Sequence, residues 1–267
     1  MSNYKLVAFD LDGTLLNSDM TLAKKTIDNL HRIIDKNIKC AIISGRNLSD
    51  ILSLINDLDF CYLSSLSGAL IYNNSTSEIE YLRSIQKESS IKLIDFLIKN
   101  DLITNIFTTN NIYISKYSSL YFSKLYQASL KPKMIDSLNL DENILSIQIL
   151  LKNDKELDII KEDIKNKFNN LEIFNAGYSC LQINQKEANK GAALKFIADK
   201  LNIQLTQTIA VGDSEMDLPM LNIAGMGIGM KNSKNHLLDK VKFITKKDNN
   251  NNGATNFILN ILENNYD

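Results

Sequence analysis

The stretch LVAFDLDGTLL, residues 6–16, decides how this chain is read. Its opening residues, Leu6 to Phe9, form a short uninterrupted apolar run, the pattern of a strand covered on both faces. Two carboxylates, Asp10 and Asp12, stand at its far end. Burying an ionised carboxylate is costly unless it is paired or holds a cation, so this placement asks for a metal or for a turn facing solvent. Asp is also a turn former after strands, and for these two residues alone that reading stays open.

The rest of the chain narrows the choice. At 267 residues, 44% hydrophobic and 23% charged, it has the composition of an ordinary globular protein, large enough for one core plus a smaller second domain. A formal net charge of -1 supplies no basic field for nucleic acid or an anionic membrane, so neither is an expected partner. Cys40, Cys61 and Cys180 are odd in number and far apart, which argues against a disulfide framework and a CxxC metal site, and points to a reducing cytoplasm. Asp10 and Asp12 interrupt any signal-peptide hydrophobic stretch, and no run of about 18 apolar residues occurs.

Apolar runs rich in Val, Ile and Ala alternate with helical patterns over the first 60 residues and the last 80. This predicts an α/β, Rossmann-like parallel sheet with helices on both faces. One helical face collects Leu22, Ala23, Ile27, Leu30, Ile33 and Ile34; a second collects Leu48, Ile51, Leu52, Ile55 and Leu58; a third collects Leu194, Ile197, Ala198 and Leu201. The middle differs, with helices expected at 86–99, near 118–128 and at 154–168, and longer strands in pairs. It reads as an inserted α/β unit over residues 82–184, between core segments 1–81 and 185–267. DNNNNG at 248–253 reads as a solvated loop without function.

Four predicted strands end in polar clusters: Asp10, Asp12, Gly13 and Thr14; Ser44, Gly45 and Arg46; Gly212, Asp213 and Asp217; and a stretch closing near Asn232. Ligands of open parallel sheets bind beyond the carboxyl ends of the strands, so these clusters should face one another. Converging carboxylates need a divalent cation, and all-oxygen donors favour a hard ion such as Mg²⁺. The two histidines, His31 and His236, lie outside the clusters, which disfavours zinc. Glycines at the turns free backbone N–H groups for an anion. Within such a phosphate site one carboxylate can attack phosphorus while another two positions away moves protons.

At these residues the chain resembles the haloacid dehalogenase-like (HAD) hydrolases, specifically Cof-type phosphatases with a class IIB cap. DLDGTLL matches the DxDGTL signature, SGR at 44–46 the second motif, EANKGAAL the third with Lys190, and GDSEMDLPML the fourth, GDxxNDxxML. The resemblance implies a HAD core with the inserted unit as cap. It implies Asp10 as nucleophile and Mg²⁺ ligand, Asp12 as acid/base and backbone ligand, Asp213 as metal ligand and Asp217 in support. Ser44, Gly45, Lys190 and Asn232 would hold phosphate. The expected function is Mg²⁺-dependent hydrolysis of small phosphorylated metabolites, sugar phosphates among them, with a phosphomutase or phosphotransferase as the near alternative.

Two departures stand out: Met216 replaces the usual Asn of the fourth motif, and Ser67-Gly68-Ala69 replaces a frequent NGA. A thioether cannot donate the amide's hydrogen bonds, which keeps a non-catalytic binding protein among the alternatives. A phospho-receiver module would instead be about half this length and lack the insertion. Taken singly, Ser44, Asp213 and Asp217 also suit helix caps, Lys190 a solvated surface position, Arg46 an exposed loop, and Lys131 and Lys133 a solvated basic turn.

Overall fold

The structure, a computed structural model, describes residues 3–55, 58–115, 131–139, 141–177 and 179–263. The expected helix near 118–128 lies outside them. The first strand, β1 (Leu6–Phe9), pairs in parallel with β2 (Lys39–Ile43) on one side and with β12 (Thr208–Gly212) on the other. Beyond β2 the sheet adds β3 (Tyr62–Ser65) in parallel; beyond β12 it adds β13 (Met226–Gly229) and β14 (Phe243–Ile244). The chain runs outward from β1 through β2 and β3, then returns to the opposite side at β12, so strand order reverses beside β1. Such a reversal opens a crevice at the strand ends, and Asp10 sits there.

Both faces of this sheet are covered, which is why its strands read as continuous apolar runs. Val7, Phe9, Ile42 and Val211 point into one core layer, against Leu30 and Ile33 of α1 (Lys24–Ile34), Ile51 and Ile55 of α2 (Leu48–Ile55), and Phe257 and Ile258 of α7 (Gly253–Leu262). Leu6, Ala8, Ala41 and Ala210 point into the other, against Leu194 and Ile197 of α5 (Lys190–Lys200) and Met220 and Leu221 of α6 (Leu218–Ile223). Each fully buried Val, Leu, Ile, Phe or Met among them contributes about 1.5–3 kcal/mol relative to exposure. Leu52, grouped by periodicity with the buried face of α2, is exposed instead, at the edge of the apolar stripe.

The sheet is not wholly parallel. β4 (Leu70–Asn73) and β5 (Glu78–Leu82) return as an antiparallel hairpin at its edge, because only a few residues separate each strand from the last and a parallel crossover needs a dozen or more.

A second sheet has the order β10–β11–β9–β6–β7–β8: β6 (Ile103–Thr108), β7 (Ile112–Ile114), β8 (Lys133–Met134), β9 (Ile144–Leu150), β10 (Leu171–Asn175) and β11 (Cys180–Gln185). One face carries Ile106, Ile147, Ile149, Leu181 and Ile183 and packs on Leu93 and Leu97 of α3 (Lys87–Lys99) and Leu157 and Ile164 of α4 (Asp154–Lys167). Strand alternation turns Asn105, Gln148, Gln182 and Asn184 to the opposite face.

DNNNNG is more than a solvated loop. Asp248 caps a tight turn at Asn249–Asn251 by accepting from the Asn251 N–H, and Asn249 is buried. The Asn249 side chain donates to the Leu16 carbonyl at 2.9 Å, and Asn250 accepts from the Ser18 N–H at 2.9 Å. The segment docks on the loop that follows β1.

Candidate active site

Asp10 leaves β1 in extended conformation, and the chain then makes a wide turn over Leu11–Leu15, closed by the Leu16 N–H donating to the Leu11 carbonyl. Gly13 takes φ +72° in this turn, and a Cβ there would stand 2.2 Å from Asp213 Oδ2. Glycine is therefore required twice over, by backbone conformation and by the close approach of the carboxylate. At the end of β12, a Cβ on Gly212 would lie 2.4 Å from the Asp217 side chain. These two absences of a side chain let three aspartates converge.

Lys190 ties them together. It opens α5, whose preceding residue Asn189 caps the helix by accepting from the Ala192 N–H at 3.0 Å. A lysine in a first turn opposes the helix dipole, so this position needs a compensating anion. Lys190 Nζ has two, donating to Asp10 Oδ1 at 2.6 Å and Asp217 Oδ1 at 2.6 Å, with all three side chains buried. Asp217 Oδ2 accepts from the N–H groups of Asp213 and Ser214 and from the Ser214 hydroxyl, at 2.9–3.1 Å. Asp217 thus braces the β12 turn with one oxygen and Lys190 with the other.

Electrostatics follow from burial. Burial pushes the Asp10 carboxyl up to about 7, against the pull of Lys190 and with the help of Asp217 and Asp12. Asp213 rises to about 8, again through burial first and then through the charges of Asp10 and Asp217. Burial also opposes the charge on Lys190, but its two carboxylate partners outweigh that and hold it above the ordinary lysine value.

Asp10, Asp213 and Asp217 each offer an oxygen within 4.8 Å of the others. Four carboxylates, these and Asp12, face two cations, Lys190 and Arg46. The excess negative charge and the all-oxygen donor set fit a hard divalent ion such as Mg²⁺.

Arg46 is buried, contrary to the exposed-loop expectation. Its Nε and Nη2 donate to the two oxygens of Asp12 at 2.8 and 2.6 Å, a bidentate clamp. Ser44 is fully buried, and its Oγ accepts from the Arg46 N–H at 3.2 Å, shaping the turn that delivers the guanidinium. Gly45 lines a cavity of about 600 Å³ together with Asp10, Arg46, Lys190 and Asp213, and Gln148 and Gln182 of the second sheet form part of the opposite wall.

The family described as haloacid dehalogenase-like hydrolase matches residues 7–258. This chain is a haloacid dehalogenase-like hydrolase. The hydrolase is 32% identical over 254 residues to BU028/BU029 of Buchnera aphidicola subsp. Acyrthosiphon pisum, covering 92% of this chain and 93% of that one. To the 5-amino-6-(5-phospho-D-ribitylamino)uracil phosphatase YwtE of Bacillus subtilis it is 26% identical over 289 residues, covering 98% and 99%. The solved structure of the HAD subclass IIB sugar phosphatase BT4131 superposes with a TM-score of 0.85 at 19% identity, covering 96% and 98%.

In this hydrolase Asn232 lines the cavity, with its amide engaged by backbone on both sides: Nδ2 donates to the Gly13 carbonyl at 2.8 Å and Oδ1 accepts from the Asn249 N–H at 3.1 Å. It braces the Asp12–Gly13 turn. Met216 is buried, and its Cε lies 3.8 Å from where a Cβ on Gly45 would stand, so the thioether fills space beneath the Ser44–Arg46 turn. Ser67 lies by the same point at 3.5 Å, with φ +55°. The two departures from the family pattern are neighbours. His236 lies on the cavity wall, its Nε2 3.3 Å from Glu215 and outside the Asp10, Asp213 and Asp217 cluster. Lys131 and Lys133 are exposed and do not line the cavity.

The sequence reading placed Arg46 in a strand-end cluster but left its role undecided, and it gave no part to Asn249 or the amides of the second sheet. Arg46 had a usable signal in its place beside Ser44 and Gly45 at a strand end. The others had none, since isolated Asn and Gln residues suit any surface.

Proposed function

We propose that this hydrolase is a Mg²⁺-dependent phosphomonoesterase acting on small phosphorylated metabolites, sugar phosphates among them, through an aspartyl-phosphate on Asp10. The observation that carries this reading is Lys190, a buried ammonium shared by Asp10 and Asp217 on the wall of a cavity that Asp213 also reaches. A cation so placed favours a dianionic phosphoryl group beside the nucleophile, and phosphoryl transfer depends mainly on such positioning and charge stabilisation. The name of YwtE, a phosphatase of a small phosphorylated metabolite, agrees with it.

In this reading a carboxylate oxygen of Asp10 attacks phosphorus as the bond to the leaving oxygen breaks, and Asp12 delivers a proton to that oxygen. Asp12 then takes a proton from water, whose oxygen attacks phosphorus and frees Asp10 and inorganic phosphate. Arg46 orients Asp12 for both transfers. Ser44 and Gly45 sit at the turn facing the phosphoryl oxygens, with Lys190 opposite. Asp10, Asp213 and the backbone carbonyl of Asp12 would hold Mg²⁺, with Asp217 supporting it. The ion would add positive charge where the phosphoryl group binds. Residues 82–184 act as the cap, bringing the second sheet over the site to exclude water and select the leaving group.

No helix among the described residues is long and apolar enough to cross a membrane, and the three cysteines form no disulfide. From the odd number and wide spacing of the cysteines, which suit a reducing compartment, we propose that the protein works in the cytoplasm.

Steady phosphate release from an aryl phosphate with Mg²⁺ and no acceptor, stopped by a chelator and restored by Mg²⁺, is the expected result. Release of the aryl alcohol that requires a sugar acceptor and yields a sugar phosphate in place of inorganic phosphate would indicate a phosphotransferase. Asp10→Asn should abolish turnover in a folded protein; activity near the parent's would remove Asp10 from the nucleophile's role.

A further inference from the structure

The face of the second sheet that turns away from α3 and α4 carries amides where a docking surface would ordinarily be apolar. Asn105 on β6 pairs with Gln148 on β9, and Gln148 pairs with Gln182 on β11, so three amides lie side by side across three strands. Side chains directly opposite in such ladders stand about 5 Å apart on the same face. All three are buried, at 2%, 6% and 1% exposure. A neighbour on the same face shows what an amide used for docking looks like. Asn184 donates to the Leu66 carbonyl at 2.8 Å and the Ala188 carbonyl at 3.1 Å, joining β11 to the loops of the first sheet.

Asn105 and Gln182 are differently employed. The Asn105 Nδ2 has no hydrogen-bond partner among the described residues, although burying an unpaired amide donor costs about 1–3 kcal/mol. Among the described residues Gln182 Nε2 reaches only Asn184 Oδ1, at 3.5 Å, the outer limit of a hydrogen bond. Its Oε1 lies 3.3 Å from where a Cβ on Gly45 would stand, so the amide looks onto the turn that carries Ser44 and Arg46. Gln148 and Gln182 both line the cavity whose other wall holds Asp10 and Lys190.

The second sheet's contribution to that cavity is Gln148, Asn175, Ala176, Gly177, Cys180 and Gln182, none of them an acidic or basic residue. Among the described residues this wall offers a leaving group no cation for a second phosphate or carboxylate and no carboxylate for an amine. It meets groups that donate and accept in one side chain, the complement of a hydroxyl, which also does both.

We propose that Gln148 and Gln182, backed by Asn105, form the leaving-group subsite, and that this subsite selects an uncharged, hydroxyl-bearing leaving group over one with a second anionic group. The inference rests on the phosphomonoesterase reading and deepens it. A site built to hydrogen-bond hydroxyls rejects analogues lacking them, because its own buried polar groups are then left unpaired.

The test compares kcat/KM of the Mg²⁺-loaded full chain on a hexose monophosphate, the corresponding bisphosphate and p-nitrophenyl phosphate. The parent should favour the monophosphate over the bisphosphate by at least about tenfold, the factor equivalent to roughly one hydrogen bond. In Gln182→Met and Gln148→Met, which keep side-chain length but lose the amide, the ratio of hexose monophosphate to aryl phosphate should fall about tenfold or more. A ratio unchanged within about twofold in both variants, or a preference for the bisphosphate, overturns the proposal. Thermal unfolding identifies a variant that has lost its fold, and the parent's mono/bis comparison then decides alone. Absence of aryl phosphate turnover in the parent would refute the phosphomonoesterase reading itself, and this inference with it. Aryl turnover without discrimination would refute the inference only.

Discussion

Replacing Lys190 with methionine keeps the aliphatic stem and removes the ammonium that Asp10 and Asp217 share at 2.6 Å each. Breaking a buried ion pair by removing one partner costs about 3–5 kcal/mol, because the other charge stays buried and uncompensated. The loss should depend on pH, with a definite sign. Lys190 is the main influence lowering the Asp10 carboxyl, which burial already holds at about 7 against an ordinary 3.8. Without it Asp10 rises further. A carboxyl raised in the folded state binds a proton that the unfolded chain has released, so its contribution to stability falls as pH climbs from about 4 through the folded value. The deficit should therefore be smaller at pH 5.5, where Asp10 is protonated and the buried Asp217 is the partner left without its cation, and reach most of the 3–5 kcal/mol at pH 8. At about 2–4 °C per kcal/mol for a chain of this size, that is a Tm deficit of about 6–20 °C at pH 8. Circular-dichroism melts of metal-free parent and variant at the two pH values measure it. Equal melting at pH 8, or the same deficit at both, would refute the account of Lys190 as counter-ion. Turnover of an aryl phosphate should fall by about 10²–10³, as when one transition-state donor is removed elsewhere.

Because Asp10 and Asp213 titrate near 7 and 8 without metal, Mg²⁺ must displace protons, and its affinity should rise at least about tenfold between pH 6 and pH 8. Calorimetry in buffers of different ionisation enthalpy would read the released protons, and pH-independent affinity would contradict the assignment. Arg46→Lys replaces a bidentate fork with a point charge, so kcat on the aryl phosphate should drop about 10–100-fold with Tm little changed, and the pH–rate profile should move because Asp12 is less firmly held. Met216→Asn shortens a buried side chain on the cavity wall beside Gly45 and should lower stability by about 1–3 kcal/mol through lost packing while changing turnover only a few-fold; a gain in stability measured by urea unfolding would show that the amide finds partners there.

Much of the core was legible in the sequence. Leu6–Phe9, Lys39–Ile43 and Thr208–Gly212 read as strands because a doubly covered strand must be apolar throughout, and each then breaks into Gly, Ser or Asp where the sheet ends. Periodicity placed Leu30, Ile33, Leu194 and Ile197 on buried helix faces. The edge hairpin β4–β5 was missed because its direction depends on connection length more than on residue type.

The sequence by itself determined the element pattern and the carboxylates at the strand ends, since both are written in local polarity and spacing. Only the tertiary structure decided their partners. The grip of Arg46 on Asp12, the sharing of Lys190 by residues 180 and 27 positions away, the lock of Asn249 onto Leu16, and the amide row across β6, β9 and β11 join segments remote in the chain. A lysine or glutamine on the surface has the same local sequence as one in a cavity. What distinguishes them is burial, which raises the cost of an unpaired charge or amide until a specific partner is required, and burial belongs to the folded chain alone.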